Sequence, residues 1–292
     1  MTSVVPDTTS PIAAPPPTRQ RLLAAVRRNR PLTAGVGLLL LLILAMSVGP
    51  VLSPYNASDI DLRAALQSPN PAHWLGTDNL GRDVLTRIVA AARLDLQIAV
   101  ICVILPFGVG SLVGAISGYI GGKVDAVLMR LVDMLWAFPF YVLVIAIVGT
   151  LGPGLANMYL AFTLVVWISF ARIVRGEVLV LKRAEYVMAA QVLGFSHVRI
   201  ILRHVLPNAI TPAIVFAMAD VVLTILAVTS LSFLGLGIQP PAAEWGLMIA
   251  EGRNFIFDAW WISTFPGIAI IFTGITFALL GDGIDDFLRP SG

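Results

Sequence analysis

The sequence predicts an all-α membrane protein with six transmembrane helices and both termini in the cytoplasm. Hydrophobic residues fill 58% of the 292 positions and charged residues only 12%, about half the charge of a soluble domain. So little charge cannot clothe a water-facing surface, but it suits a chain solvated by lipid. Six apolar runs, at about 32–52, 96–118, 134–151, 155–171, 209–235 and 261–281, each approach the roughly 20 residues that cross a bilayer. With the N-terminus inside, the inner segments hold 14 Lys and Arg and the outer segments 5. Cytoplasmic loops carry that excess of positive charge. The net charge of +2 does not point to nucleic acid, and the single Cys102 permits no intramolecular disulfide.

Residues 1–31 read as a cytoplasmic tail, rich in Pro, Thr, Ser and Ala and ending in Arg19, Arg21, Arg27, Arg28 and Arg30. Such a composition buries too little to order itself. The first transmembrane helix covers 32–53. Its run of about 21 apolar residues exceeds the 7–15 of a signal-peptide core, so an uncleaved helix is expected. Residues 54–95 form an extracytoplasmic segment. Within it, Gly76 and Gly81 signal turns, Asp78 or Asn79 can cap a helix, and Val84, Leu85, Ile88, Val89 and Ala92 form an apolar stripe. That stripe predicts a helix lying at the outer interface. The Asp, Asn and Arg residues beside these glycines assemble no cation or phosphate ligand set.

Residues 96–286 form a core of five further transmembrane helices, and 287–292 a cytoplasmic tail. In the second span Gly110, Gly114 and Gly118 share one helix face, where a neighbour can approach closely. The face is either a seam that slides during transport or static packing. Asp220 is the ionisable residue deep within a span. It either lines a substrate path or bonds to a neighbouring helix or partner subunit. Asp95 and Asp133, near span ends, read as interfacial. Gly121-Gly122-Lys123-Val124 fails as a phosphate loop, because Ser117 and Val124 stand where Gly and Ser or Thr are needed. His73, His197 and His204 lie on separate segments and make no zinc set. With no nucleophile elbow or paired metal-binding histidines, the sequence predicts no catalytic, cofactor or metal site.

The loop at about 172–208 is the largest cytoplasmic one. Gly194 sits where a helix from Glu185 would end in the left-handed conformation, and Ser196 can cap a second helix. Val198, Ile201, Leu202 and Val205 then form one apolar stripe, with Arg199 and Arg203 on another face. Pro207 stops or kinks the chain before the fifth span. A basic amphipathic helix–turn–helix of this kind suits either anionic lipid headgroups or a protein partner.

The spacing Met188-Ala189-Ala190, then Gly194, then Leu206-Pro207 resembles the EAA loop of bacterial ABC importer permeases. It departs from that pattern at Met188, where the family has Glu, and at His204. Gly76-Thr77-Asp78, Gly81-Arg82-Asp83 and Arg87 resemble the C-type permease subunit of dipeptide, oligopeptide and nickel ABC importers. So do Leu231 to Gly237, Gln239-Pro240-Pro241, Trp245-Gly246, Trp260-Trp261, Pro266-Gly267 and Gly281-Asp282. A further departure is Val228, where relatives carry an acidic residue.

The resemblance implies a type I ABC importer permease bundle in a bacterial plasma membrane. It implies a homologous second permease, two cytoplasmic ATPase subunits that bind the ATP, and an extracytoplasmic peptide-binding protein. The ATPase would dock on Glu185, Ala189, Ala190, Gly194, Leu206 and Pro207. The implied function is peptide import, with a nickel or metal-chelate importer as the alternative. An ATP-independent secondary transporter would need more intramembrane ion-coupling groups than Asp220 alone.

Overall fold

The computed structural model describes residues 29–288. The expected tails lie outside them, apart from Asn29, which caps the first helix, and Arg30, Pro31, Phe287 and Leu288, which are helical. Among the described residues the regular secondary structure is all helical, with no strand beyond one isolated β-bridge between Thr77 and Asp83.

Helix α1 spans Arg30–Leu52. The Asn29 side chain accepts from the Leu32 amide and donates to the Gly283 carbonyl at 2.7 Å, so the cap also ties α1 to the last helix. That last helix, α11, spans Trp261–Leu288. A Cβ on Gly283 would meet Leu32 and one on Gly35 would meet Leu280, so the two helices run antiparallel in near backbone contact.

Helix α2 spans Val84–Ile120, 37 residues without a break. The expected interfacial helix and the second span are therefore one rod. Asp83 caps it by accepting from the Thr86 amide at 2.8 Å, and α2 continues through Pro106. Helix α5 spans Leu155–Leu181, ten residues beyond the expected fourth span, so the first part of the expected cytoplasmic loop is helical. A Cβ on Gly110 would strike the backbone of Trp167 and Ala171, one on Gly114 that of Ala171 and Arg175, and one on Gly118 that of Arg175. The three glycines thus form a tight seam, and the rising numbers on both sides make α2 and α5 parallel.

The expected third span is bent. Helix α3, Gly122–Trp136, and helix α4, Phe140–Leu151, meet at 87°. Pro139 bars the preceding residue from helical backbone, which ends α3 and starts α4 in a new direction. After α5 come α6, Glu185–Val192, then α7, His197–Ile200, a π-turn at Ile201–Val205, and α8, Leu206–Ala209. Helix α9 spans Thr211–Phe233 and α10 spans Trp245–Gly252. Among the described residues four helices, α1, α2, α9 and α11, are long and apolar enough to cross a membrane, or five with the bent α3–α4 pair counted as one. Leu40, Leu41, Leu44, Leu223, Leu226, Ile271 and Ile275 face outward from them, as an apolar solvent allows.

Candidate functional site

Two clusters of polar contacts sit at opposite ends of α2. The first surrounds the loop between α5 and α9. Helix α6 closes in a Schellman motif: Gly194 N–H donates to the Gln191 carbonyl at 3.0 Å and Phe195 N–H to the Ala190 carbonyl at 3.2 Å. Gly194 has φ +76°, as the sequence predicts, and it is exposed. Ser196 caps α7 by accepting from the Arg199 amide, and the Arg199 guanidinium lies 4.0 Å over the Phe195 ring.

The predicted stripe on the second helix needs correction. Ile201 and Val205 are buried, but Val198 and Leu202 are exposed, and Ile200 is buried instead. The π-turn produces this shift. Pro207 lacks the N–H that would reach Arg203, and its ring crowds that carbonyl. The chain widens by one residue, with Leu206 N–H bonded to Ile201, and the buried face rotates.

The residues expected at the docking surface also divide. Glu185, Ala189, Gly194 and Pro207 are exposed, and Leu206 is half-buried. Ala190 is 4% exposed and packs inward beside Val187, so Ala190 supports the loop rather than lining its outer face. The open face of α6 carries Tyr186, Met188, Ala189, Val192 and Leu193, with Val192 88% exposed. It is largely apolar, with Glu185 exposed at its start and no charge at Met188 for a partner to read.

The loop is fastened to α2. Gln191 donates to the Tyr119 hydroxyl at 3.2 Å, and the Tyr119 ring meets the His197 ring edge-on at 5.8 Å. The Lys182 ammonium donates to the Gly118 carbonyl at 2.9 Å. Nearby, Arg175 grips Asp125 with two bonds, at 2.6 and 2.7 Å, and the Ser117 hydroxyl donates to the same carboxylate. Such paired bonds are among the stronger charge-assisted contacts. Asp133, read from sequence as interfacial, accepts from Arg172, which also covers the Trp136 ring at 4.6 Å.

The second cluster is built on the Gly76–Arg87 motif. Gly76 and Gly81 have φ of +76° and +75°, and a Cβ on either would strike neighbouring backbone. Those tight turns fold Asp78 back on the chain, where it accepts from the amides of Leu80 at 2.8 Å and Arg82 at 3.0 Å. Its other oxygen takes Arg82 Nε at 2.6 Å and lies 3.3 Å from Arg87. Arg82 and Arg87 both donate to Glu251 of α10, at 2.9 and 3.0 Å. Trp261 Nε1 donates to the Thr77 carbonyl at 3.0 Å. The motif is thus a structural knot, its turns and both arginines tied to neighbouring backbone and carboxylates, although Asn79 Oδ1 and Arg87 Nε are buried without a hydrogen-bond partner among the described residues.

Below this knot, Asp95, expected near the membrane interface, is buried within the protein. It accepts from the Trp245 amide at 3.1 Å, one residue along from Glu244. Glu244, 0% exposed, caps α10 by accepting from the Gly246 and Leu247 amides at 2.8 and 2.7 Å. Burial pushes the Glu244 carboxyl above its ordinary range, and the two amides pull it back. Sequence reading missed Glu244, Glu251, Tyr119 and Gln191, because their partners lie up to 169 residues away. The one local signal is Glu244 just before a short apolar helix.

Asp220 lies mid-way along α9, 8% exposed, and its Oδ2 has no hydrogen-bond partner among the described residues. Among the same residues no group of three or more His, Cys, Asp or Glu could hold a metal.

Comparisons with known proteins cover nearly the whole chain. Residues 19–69 match the N-terminal TM domain of oligopeptide transport permease C. The chain is 40% identical over 264 residues to the probable D,D-dipeptide transport system permease protein DdpC of Escherichia coli (strain K12), spanning 90% of this chain and 89% of that one. It is 40% identical to the dipeptide transport system permease protein DppC of Bacillus subtilis (strain 168), over 91% of this chain and 83% of that one. The nickel transport system permease protein NikC of Escherichia coli (strain K12) is 40% identical over 81% of this chain and 86% of its own. A chain of the MetNI methionine ABC transporter in inward-facing conformations shares the fold, with a TM-score of 0.57 at 15% identity, covering 70% of this chain and 97% of that one. Residues 110–291 match the family described as binding-protein-dependent transport system inner membrane component, and the chain belongs to that family.

Proposed function

We propose that this chain is one of two membrane subunits of an ATP-driven importer for peptides. The observation that carries this reading is the 40% identity, over nine-tenths of the chain, to permeases named for dipeptides. A homologous permease would complete the pathway. Two cytoplasmic ATPases would bind the ATP, with one docking on the open face of α6 and on Glu185, Ala189, Gly194 and Pro207, while Ala190 and Leu206 hold that surface up from beneath. An extracytoplasmic binding protein would deliver substrate at the Gly76 end. In this reading the chain carries path and force, and ATP hydrolysis would belong to its partners. A ligand can switch such a bundle only by binding its two states with different affinity.

Six crossings with both termini inside suit this reading. The parallel run of α2 and α5 requires the chain to return between Ile120 and Leu155, and α3–α4 is the segment available. Asp220 is the candidate for the substrate path. Its unpartnered Oδ2 suits the ammonium of a peptide N-terminus, because a buried carboxylate is stable only when paired.

The second reading, a nickel or metal-chelate importer, is favoured by the 40% identity to a nickel permease. One experiment separates these. The chain is co-expressed with its neighbouring permease, ATPases and binding protein in a host lacking peptide and nickel uptake. Rescue by dipeptides, lost when the ATPase phosphate-loop lysine is mutated, is the expected result. Rescue of nickel-dependent growth alone would overturn the peptide assignment, and uptake that survives the ATPase mutation would overturn the ATP-driven reading.

A further inference from the structure

Helix α2 touches both clusters, and its length makes that consequential. At about 1.5 Å per residue its 37 residues extend about 55 Å, well beyond the roughly 30 Å hydrocarbon core. Its first turns, with Arg82 just before them, hold α10 through four contacts. Arg87, 1% exposed, donates to Glu251 at 3.0 Å. Arg82, just before the helix, donates to the same oxygen. The Ile88 carbonyl accepts from Trp245 Nε1 at 3.1 Å, and Asp95 accepts from the Trp245 amide. Its last turns hold the loop through Tyr119 with Gln191 and His197, and through Gly118 with Lys182. The seam of Gly110, Gly114 and Gly118 braces the lower half of α2 against α5.

Helix α9 joins the same two regions through the chain, but less stiffly. Below it lies the π-turn at Ile201–Val205, and above it the non-helical stretch from Leu234 to Glu244. Both are irregular and can absorb a displacement. The contacts of α2 are side-chain contacts made to one continuous helix.

We propose that α2 is the element through which the ATPase-docking loop and the outer helix α10 sense each other. Tyr119 with Gln191 is the positioning contact at the inner end, and Arg87 with Glu251 the one at the outer end. The proposal rests on the importer reading. When the loop moves with the ATPases, the Tyr119 contact either carries α2 along or breaks. When a binding protein shifts α10, the Glu251 clamp does the same from the other side. Coupling of this kind is reciprocal, so a defect at either end weakens the signal in both directions.

The test uses the complete complex of both permeases, the ATPases and the binding protein, in proteoliposomes. ATP hydrolysis is read with and without substrate-loaded binding protein for wild type, Tyr119→Phe, Glu251→Gln and the double variant. Each single variant is expected to co-purify and to keep basal hydrolysis, while stimulation by the binding protein falls about five-fold or more. The double variant is expected to fall no further than the worse single one, because both act on one route. Gln191→Leu and Trp245→Phe address the same two ends if either first variant fails to assemble. Full stimulation in the variants of either end, or losses that multiply in the double variant, overturns the role of α2 alone. A wild-type complex with no stimulation overturns the importer reading and this proposal with it.

Discussion

Gly194 and the two alanines before it show what single residues contribute to the loop. Its positive φ closes α6 with two backbone bonds, and a side chain there costs about 1–2 kcal/mol, more for a β-branched one. Nothing lies within 4 Å of a Cβ at this position, so the cost is backbone strain and not collision. Gly194→Val should therefore leave membrane insertion intact and abolish uptake, as followed by membrane immunoblot and transport assay. Normal uptake would show that the turn does not matter. Ala189 and Ala190 are adjacent, yet the first is exposed and the second buried. Ala189→Glu should cut co-purification of the ATPases several-fold while thermal stability holds. Ala190→Glu should instead lower the thermal midpoint, because it buries a charge without a partner. Equal effects of the two variants on stability would contradict that division. The left-handed glycine and the serine cap were legible in sequence because each is a local rule. Which alanine faces inward depends on what α6 packs against.

Among the elements, α2 departs most from its sequence reading. The glycine face was visible at four-residue spacing, and it meets α5 at nearly backbone contact. Continuity from Val84 was not visible, because Asp95 and Arg93 interrupt the hydropathy exactly where the helix continues. Their cost is offset by partners on α10 for Asp95, which periodicity cannot reveal. The stripe on α7 failed for a similar reason: Pro207 acts backward on Arg203 and inserts a π-turn, so the counting frame shifts by one residue. The seam makes a sharp prediction. Gly114→Leu must push α2 and α5 apart, and overpacking costs about 1–3 kcal/mol or more. Gly108, with nothing within 4 Å of its Cβ, is the control on the same helix. Gly114→Leu should lower the thermal midpoint in detergent by several degrees and Gly108→Leu should not. Equal midpoints for the two would mean that the seam is loose enough to slide.

For the whole molecule the decisive question is how many times the chain crosses the membrane. Helix α4 has 12 residues and rises about 18 Å, short of a hydrocarbon core of roughly 30 Å. Taken alone, the 87° bend would suit a re-entrant hairpin with Gly122 and Gly152 on the same side. The parallel pairing of α2 with α5 argues the other way. Gly110, Gly114 and Gly118 meet α5 in ascending order, so α5 must begin at the end where α2 begins. The chain therefore has to climb back between Ile120 and Leu155. The last turns of α3, residues 137–139 and the Gly152–Gly154 turn must supply the length that α4 lacks, by local thinning of the bilayer where needed. The orientation expected from the 14-to-5 bias would put the Ile120 end inside and the Leu155 end outside. In a Cys102→Ser background, Pro153→Cys should react with a membrane-impermeant maleimide in intact spheroplasts, and Lys123→Cys only after permeabilisation. Labelling of neither position from outside would make α3–α4 re-entrant. Since α5 would then also have to start inside, that result would break the parallel α2–α5 seam on which the reach of α2 from loop to outer helix depends.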